Sequence, residues 1–253
     1  MRETEAFRDA LRFMTVLPVK SSEAIDANWL TRASRYFPAV GVVVGLVAAI
    51  VFAVASRYWG GFVPALLAVT ATALITGALH EDGLADTADG LGGGRSREVR
   101  LAIMKDSRLG TYGALALIFS VGLRIAALAL MPPSYAWAAL VAAHAGARAA
   151  ATWAMNMLPY AGDPAATRIS YSETALDRSG AMTALLITLV ALLPALAKAP
   201  SSLVAGLVLA ALSTLAVVAL ARRLIGGYTG DVLGAVEQAG EVAFLLGLAA
   251  GAH

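Results

Sequence analysis

Apolar residues in this chain are grouped in long continuous blocks instead of alternating with polar ones. A helix needs about 20 mainly apolar residues to cross a bilayer, and seven blocks approach that length: 38–56, 62–79, 111–131, 135–157, 181–198, 202–221 and 240–252. Backbone groups in lipid must be satisfied within the segment, so each block is predicted to be a helix. The pattern predicts an all-α, polytopic transmembrane helix bundle of about six to seven spans, the last block being short and rich in glycine.

The first twenty residues have a different pattern, with charges and no apolar core typical of a signal peptide. Apolar residues recur there at helical spacing: Phe7, Ala10, Leu11, Met14 and Leu17. This spacing predicts an N-terminal amphipathic helix. Two positions remain open for it, on the membrane surface or as a cap packed on the bundle.

Composition supports a membrane environment, since 59% of the residues are hydrophobic and only 14% are charged, against about 25% charged in soluble domains. The absence of cysteine excludes disulfides, thiolate zinc sites and cysteine nucleophiles. The net charge is only +2, and no basic block resembles a nucleic-acid-binding arm, so no nucleic-acid partner is expected. Without internal repeats, residues 1–253 are interpreted as a single integral membrane domain.

Charges separate the loops into two kinds. All seventeen acids lie outside the first six apolar blocks, and the loops next to Arg57 and Lys198 carry almost no other charge. The positive-inside rule places the charged loops in the cytoplasm, including an N-terminal cytoplasmic or interfacial segment at 1–37. The polar segments 80–110, 159–180 and 222–239 should therefore meet at the cytoplasmic face of the membrane.

The most informative of these segments begins with the run His80-Glu81-Asp82-Gly83-Leu84-Ala85-Asp86-Thr87-Ala88-Asp89-Gly90. Asp82, Asp86 and Asp89 are spaced i, i+4, i+7 and would share one face of a helix, where like charges repel one another. Carboxylate oxygens on one face predict a site for Mg²⁺, or for Mn²⁺. The alternative is a solvated acidic helix end.

A glycine-rich turn and a basic cluster follow the aspartates. Glycines at 90–94 let backbone N–H groups approach a phosphate, although they also suit a plain connector. Arg95, Lys105 and Arg108 come next. Cations beside a divalent metal are what a pyrophosphate site requires, so we predict 80–110 as a cytoplasmic catalytic loop. Alternatively, these cations only keep the loop on the cytoplasmic side of the membrane.

Polar residues also occur inside the predicted spans. His144 and Arg148 are four residues apart, and an intramembrane arginine usually faces the bundle interior. Arg148 is predicted to contact phosphate, with a structural ion pair as the alternative. Arg124 is interpreted as a residue that extends its charge to the membrane surface and is left out of the predicted site.

The last polar segment contains Asp231, Glu237 and Glu241. Asp231 follows a glycine-rich turn, where it suits either an N-cap or a site residue. Glu237 and Glu241 are four residues apart and are interpreted as a second acidic contribution to the same site. In the 159–180 loop, Tyr171, Ser172 and Glu173 are weaker candidates for substrate contact.

Several runs together resemble the cobalamin synthase family: 11–18, 35–41, 80–90, 100–113 and 230–234. They occur in the expected order and span residues from about 7 to 245. The charged runs carry the resemblance, since apolar spans rich in alanine and leucine are common to many membrane proteins.

The resemblance implies an enzyme that joins adenosylcobinamide-GDP to α-ribazole, or to its 5′-phosphate, with release of GMP. It implies Mg²⁺ as cofactor, held by Asp82, Asp86 and Asp89. His80 or Glu81 would serve as base or supporting ligand. Lys105 and Arg108 would bind phosphate, and the partners would be these small molecules and the lipid bilayer. A homo-oligomer and a complex with other cobalamin-assembly enzymes both remain open.

Three other functions fit parts of the pattern. A CDP-alcohol phosphotransferase-like lipid enzyme shares the acidic cluster, but Asp86 stands where its motif has alanine. A prenyltransferase would need a second clear aspartate-rich motif. A cation-coupled transporter predicts acids in the middle of spans, whereas most acids here lie at the membrane edge.

Overall fold

The computed structural model describes residues 3–20, 28–163 and 175–251. Over these ranges the chain is all-α, as predicted, with eleven helices. In order they are α1 (Glu3–Met14), α2 (Trp29–Ser34), α3 (Phe37–Ala55), α4 (Phe62–Thr76), α5 (Leu79–Gly93), α6 (Arg97–Met104), α7 (Thr111–Ala129), α8 (Pro133–Met157), α9 (Arg178–Lys198), α10 (Pro200–Ile225) and α11 (Gly230–Ala249).

Five of the described helices are long and apolar enough to cross a membrane: α3, α7, α9, α10 and α11. The number rises to six when α4 and α5 are taken together as one broken span. The span predicted at 135–157 corresponds to α8, which has 25 residues but is too polar to belong to this group because of residues such as His144 and Arg148. The span predicted at 240–252 is the second half of α11, which begins at Gly230.

The centre of the bundle is formed by α8 and α11, which lie antiparallel to each other. Alanines on α8 allow close packing, as expected for helices in lipid, and most of α11 is buried. On the other side of α8, a Cβ at Gly41 of α3 would lie only 2.3 Å from the carbonyl oxygen of His144. Glycine is therefore required at Gly41 for α3 to approach α8 so closely.

The second predicted span is broken near its C-terminal end. Gly77 and Ala78 both have left-handed backbone conformations, with φ of 62° and 56°, and α5 leaves this turn at 89° to α4. Residues 79–93 are therefore a helix within the bundle, although 80–110 was expected to be a loop. The aspartate spacing had already indicated helical geometry for this run.

The predicted amphipathic helix is observed as α1, and it packs as a cap on the bundle. Ala10 and Met14 of α1 are buried against Leu30 of α2 and Phe37 of α3. Its apolar face is thus covered by protein at one end of the helices.

The three distant polar segments meet at that end, as the charge pattern predicted. The Arg97 side chain donates hydrogen bonds to the carbonyl oxygens of Ile225, at 2.9 Å, and Ala161, at 2.8 Å. A short bridge between Tyr160 and Tyr228 joins the second and third segments. These contacts fix the loops around the N-terminus of α11.

Candidate active site

Helix α5 carries the acidic run between α7 and α11, and its three aspartates have different surroundings. Asp82 is exposed, Asp86 is partly buried and Asp89 is buried. The i, i+4, i+7 spacing does place them along one side of the helix. Along that side, Asp82 lies beside an open cavity, whereas Asp89 contacts another part of the protein.

Asp89 caps the N-terminus of α7. One carboxylate oxygen accepts the Gly110 N–H at 2.7 Å and the other accepts the Gly113 N–H at 2.9 Å. These donors are among the unpaired N–H groups at the start of a helix, and the helix dipole favours a negative charge there. Asp89 thus has a structural function in this conformation, in addition to its predicted function as a metal ligand.

Asp82 and Asp86 instead face a third carboxylate, Asp231 on the first turn of α11. The helices touch here, since a Cβ at Gly83 would lie 2.9 Å from the Asp231 carbonyl oxygen. The Asp86 carboxylate lies close enough to be affected by the charges of Asp82, Asp231 and Asp89. The structure thus brings together two acids from the predicted run and one acid almost 150 residues later.

Capping of α11 is carried out by Thr229, and Asp231 is free of that function. The Thr229 hydroxyl accepts the Val232 N–H at 3.3 Å and donates to Asp231 Oδ2 at 3.3 Å. Of the two functions open for Asp231 from the sequence, the geometry favours the site residue.

A cavity of about 300 Å³ opens beside this acidic group. Its polar wall contains His80, Asp82, Asp231 and Glu237. The wall opposite is formed by apolar side chains of α1, α2, α3 and α8. His80 and Glu237 lie deepest, with His80 Nε2 2.5 Å from Glu237 Oε2.

Behind the cavity, a network of charged groups is buried within the bundle. Arg124 is central to it and only 1% exposed, with Nη2 3.2 Å from Glu81 Oε1 and Nη1 3.3 Å from Glu241 Oε1. The Gln238 amide also donates to Glu81 Oε1 at 3.2 Å. Glu81, predicted as a catalytic residue, is thus held in this network and does not line the cavity.

Arg148 and His144 complete the network from α8. Arg148 Nη1 lies 2.8 Å from Glu237 Oε1, and His144 Nδ1 lies 2.9 Å from Glu241 Oε2. Arg148 is as deeply buried as Glu237 and makes an ion pair with it. Of the two interpretations open from the sequence, phosphate contact or structural ion pair, this geometry favours the ion pair.

The network is close to electrical balance. Glu81, Glu237 and Glu241 carry three negative charges, and Arg124 and Arg148 carry two positive ones. His80 and His144, which lie beside Glu237 and Glu241, are the other titratable groups of the network. Such balance is needed because an unpaired charge buried away from water is very costly.

The basic cluster predicted to bind phosphate lies at the surface of the same end. Arg95, Lys105 and Arg108 are exposed. Arg108 pairs with Asp106 through contacts of 2.5 to 3.0 Å, and its hydrogen bonds hold the pKa of Asp106 below the usual range. The structure places these cations around the loop before α7, where Arg108 lines a shallow groove that also includes Asp89.

Comparison with known sequences identifies the family. Residues 6–249 match the cobalamin-5-phosphate synthase family. The chain belongs to this family. The match covers nearly the whole chain, including α5, α11 and the buried network, and it agrees with the resemblance carried by the charged motifs.

Relatives of this cobalamin-5-phosphate synthase family member include three proteins named adenosylcobinamide-GDP ribazoletransferase. The protein from Bradyrhizobium diazoefficiens is 47% identical over 96% of this chain and 92% of its own length. Those from Azorhizobium caulinodans and Leptothrix cholodnii are 44% and 41% identical and cover 98% and 99% of this chain, each over 97% of its own length. No solved structure matches the chain.

Two groups of residues in this family member are candidates for metal binding. Within the described ranges, only His144, Glu237 and Glu241 bring three ligand atoms within 4.8 Å of one another. Their carboxylates are already paired with Arg124 and Arg148, whose positive charges disfavour a cation. The group of Asp82, Asp86 and Asp231 is more open, and no ion pair to its members is found in the described part of the chain.

Sequence reasoning missed the importance of Arg124 and Gln238. Arg124 was expected to reach the membrane surface, but it is fully buried between Glu81 and Glu241. An arginine thirteen residues into an apolar helix was the available signal, since such residues usually face the interior. Gln238 gave no distinct signal. The weaker candidates Tyr171, Ser172 and Glu173 lie outside the described residues.

Proposed function

We propose that this chain is an adenosylcobinamide-GDP ribazoletransferase. It would transfer the adenosylcobinamide-phosphate group to α-ribazole, or to its 5′-phosphate, and release GMP. The observation that carries the proposal is the convergence of Asp82, Asp86 and Asp231 beside a cavity, in a chain whose relatives bear this name over almost their full lengths.

The proposed cofactor is Mg²⁺, with Mn²⁺ as a substitute. Asp82, Asp86 and Asp231 fit a hard cation because they offer carboxylate oxygens without a basic partner among the described residues. Mg²⁺ typically binds one or two protein carboxylates and completes its shell with water and substrate phosphates. When bound, the metal would neutralise charge on the pyrophosphate. Asp89 would support this group from its position at the start of α7.

The protein groups would handle the nucleophile and the proton. An oxygen of α-ribazole forms a new bond to the phosphorus that carries cobinamide, and the bond from that phosphorus to the GMP oxygen breaks. The hydroxyl proton passes to His80, which is at the cavity wall and is held by Glu237. Arg148 pairs with Glu237 and holds its carboxylate in place. Glu81 acts indirectly, by fixing α5 against Arg124.

We place this site at the cytoplasmic face of the inner membrane. The support is the distribution of charged loops, since the acidic group, the basic loop before α7 and the N-terminus of α11 all lie at one end of the helices. Arg95 and Lys105 would meet the phosphates of GDP at that surface.

The other functions considered from the sequence are not favoured. The three relatives share one name, which describes neither lipid synthesis nor transport. Intramembrane acids, which would suit a cation path, do occur here, but they are paired with arginines.

The direct test uses purified protein in detergent micelles with adenosylcobinamide-GDP, α-ribazole and Mg²⁺. We expect stoichiometric GMP and cobalamin, with loss of turnover in EDTA and recovery with Mg²⁺ or Mn²⁺. Turnover in micelles also separates an enzyme from a transporter, which needs a sealed compartment. Absence of GMP from folded protein with all three components would contradict the proposal.

A further inference from the structure

The cavity beside the acidic group has two chemically distinct walls. On one side, the rings of Phe13 and Phe37 lie parallel with centroids 5.9 Å apart. Met14, Leu30 and Met155 extend this apolar wall. On the other side are His80, Asp82, Asp231 and Glu237. A ligand of this cavity therefore needs one apolar end and one end that bears hydroxyl groups.

Charge restricts the ligand further. Among the described residues that line the cavity there is no lysine or arginine, and the titratable groups are three carboxylates and one histidine. An anionic pyrophosphate deep in the cavity, beside Glu237 and away from the proposed metal at the acidic group, would find no lysine or arginine on the wall. The guanine nucleotide is thus a poor fit, whereas a neutral alcohol can donate hydrogen bonds to carboxylates.

The size of the cavity distinguishes between the remaining parts of the two proposed substrates, the corrin macrocycle and α-ribazole. A cavity of about 300 Å³ is at the lower end of the range for small-molecule sites. It is too small for a corrin macrocycle but suits a single bicyclic heterocycle with a ribose. Aromatic side chains are common platforms for flat bases.

We infer that this cavity, between α1, α3, α8 and the first turns of α5 and α11, binds the base and ribose of α-ribazole. The inference rests on the proposed function. The base lies against Phe13, Phe37 and Met155, and the ribose hydroxyls face His80 and Asp82. The cobinamide and GDP portions of the second substrate remain outside the cavity, next to the acidic group.

This arrangement gives the cap a function in binding. Phe13 belongs to α1 and Leu30 to α2, so the N-terminal helices form part of the substrate wall. The hydroxyl to be activated then lies between the acidic group and the His80–Glu237 pair. Binding of the base thereby positions the attacking oxygen.

The test introduces a larger side chain on α8 that projects into the cavity. Ala151 lines it, whereas its neighbour Ala150 lines a separate apolar cavity. We expect Ala151→Leu to raise the KM for α-ribazole at least about tenfold, while the KM for adenosylcobinamide-GDP changes less than about twofold. Ala150→Leu, which adds the same atoms one residue away, should leave both values near those of the wild type. An unchanged KM for α-ribazole in folded Ala151→Leu would overturn the inference.

A second variant and a binding measurement keep the test decisive. Phe13 is only partly buried, so Phe13→Leu removes the aromatic surface without a large void and should also weaken α-ribazole selectively. Calorimetric titration of α-ribazole alone, without the cobinamide substrate, reports occupancy of the cavity independently of turnover. If the wild type binds α-ribazole and Ala151→Leu does not, the inference stands even when the proposed transfer fails. Equal affinity in the wild type, Ala151→Leu and Phe13→Leu overturns it even when the transfer is confirmed.

Discussion

Asp82, Asp86 and Asp89 share one side of α5, but their carboxylates have different neighbours. Asp82 and Asp86 face Asp231 across the contact with α11, while Asp89 accepts two N–H groups of α7. Spacing along the helix could predict the shared side, but it could not predict which carboxylate would meet another helix. At the residue scale, the three positions should therefore respond differently to the same substitution.

Replacement of each aspartate by asparagine separates metal binding from capping. We expect Asp82→Asn and Asp86→Asn to lower kcat at least about a hundredfold with little effect on stability, since the hard carboxylate ligand is lost. Asp89→Asn should lower stability by about 1 kcal/mol, because an amide has one acceptor oxygen in place of two and lacks the negative charge that the helix dipole favours. GMP release across a Mg²⁺ titration and thermal unfolding in detergent measure the two effects. Wild-type kcat in both Asp82→Asn and Asp86→Asn would contradict the metal site.

The buried network leads to a second prediction, that loss of a buried arginine lowers stability more than loss of an exposed one. Arg124→Met leaves Glu81 and Glu241 without their shared cation, and removal of one partner from a buried pair typically costs about 3–5 kcal/mol. Arg108→Met removes a fully exposed pair with Asp106, which solvent screens, so little stability should be lost. The thermal unfolding temperature, measured in one detergent, should thus fall by roughly 10 °C for Arg124→Met and hardly at all for Arg108→Met. Similar shifts for the two variants would show that the network does not stabilise the bundle.

At the scale of elements, the break between α4 and α5 positions the acidic helix. The apolar block at 62–79 predicted an uninterrupted span, because neither hydropathy nor composition marks the left-handed pair Gly77–Ala78. Gly77 could be interpreted from the sequence as a helix end. The left-handed conformation of Ala78 could not be predicted, because it depends on contacts with other parts of the structure. Val16 on the N-terminal segment fixes the turn, since its N–H donates to the carbonyl oxygen of Ile75 at 2.9 Å.

Two substitutions at this turn should change the stability of the protein in opposite directions. Ala78 has φ of 56°, a conformation that costs a residue with a Cβ roughly 1 kcal/mol relative to glycine, so Ala78→Gly should stabilise the protein by up to that amount. Gly77→Ala should destabilise it by at least as much, because φ is 62° and the new Cβ would lie 2.9 Å from Val16 Cγ1. Thermal unfolding of both variants in detergent measures the difference. Destabilisation by Ala78→Gly would show that the left-handed turn is not maintained in solution.

For the whole molecule, sequence patterns predicted the helical class, the N-terminal helix and the meeting of three polar segments. Those features depend on periodicity and charge, which are visible locally. The partners of Arg124 and Asp231 depend on which faces of α5, α7 and α11 come into contact, and apolar spans with similar composition carry little information about such contacts. Family membership adds the reaction, but the cavity wall formed by α1 and α2 is visible only in three dimensions.

The orientation of the bundle gives the last prediction, and the absence of cysteine makes it simple to measure. Gly60, between α3 and α4, and Ser107, before α7, lie at opposite ends of the helices and are exposed. Because the charged loops should be cytoplasmic, a membrane-impermeant maleimide should label Gly60→Cys in intact spheroplasts, and Ser107→Cys only after permeabilisation. Each variant has only one thiol, so the wild type is an unlabelled control. The reverse result would place the acidic group outside the cytoplasm, and labelling of both cysteines from one side would contradict the arrangement of spans. The predicted result would put the cavity and the acidic group at the face where nucleotide substrates are available.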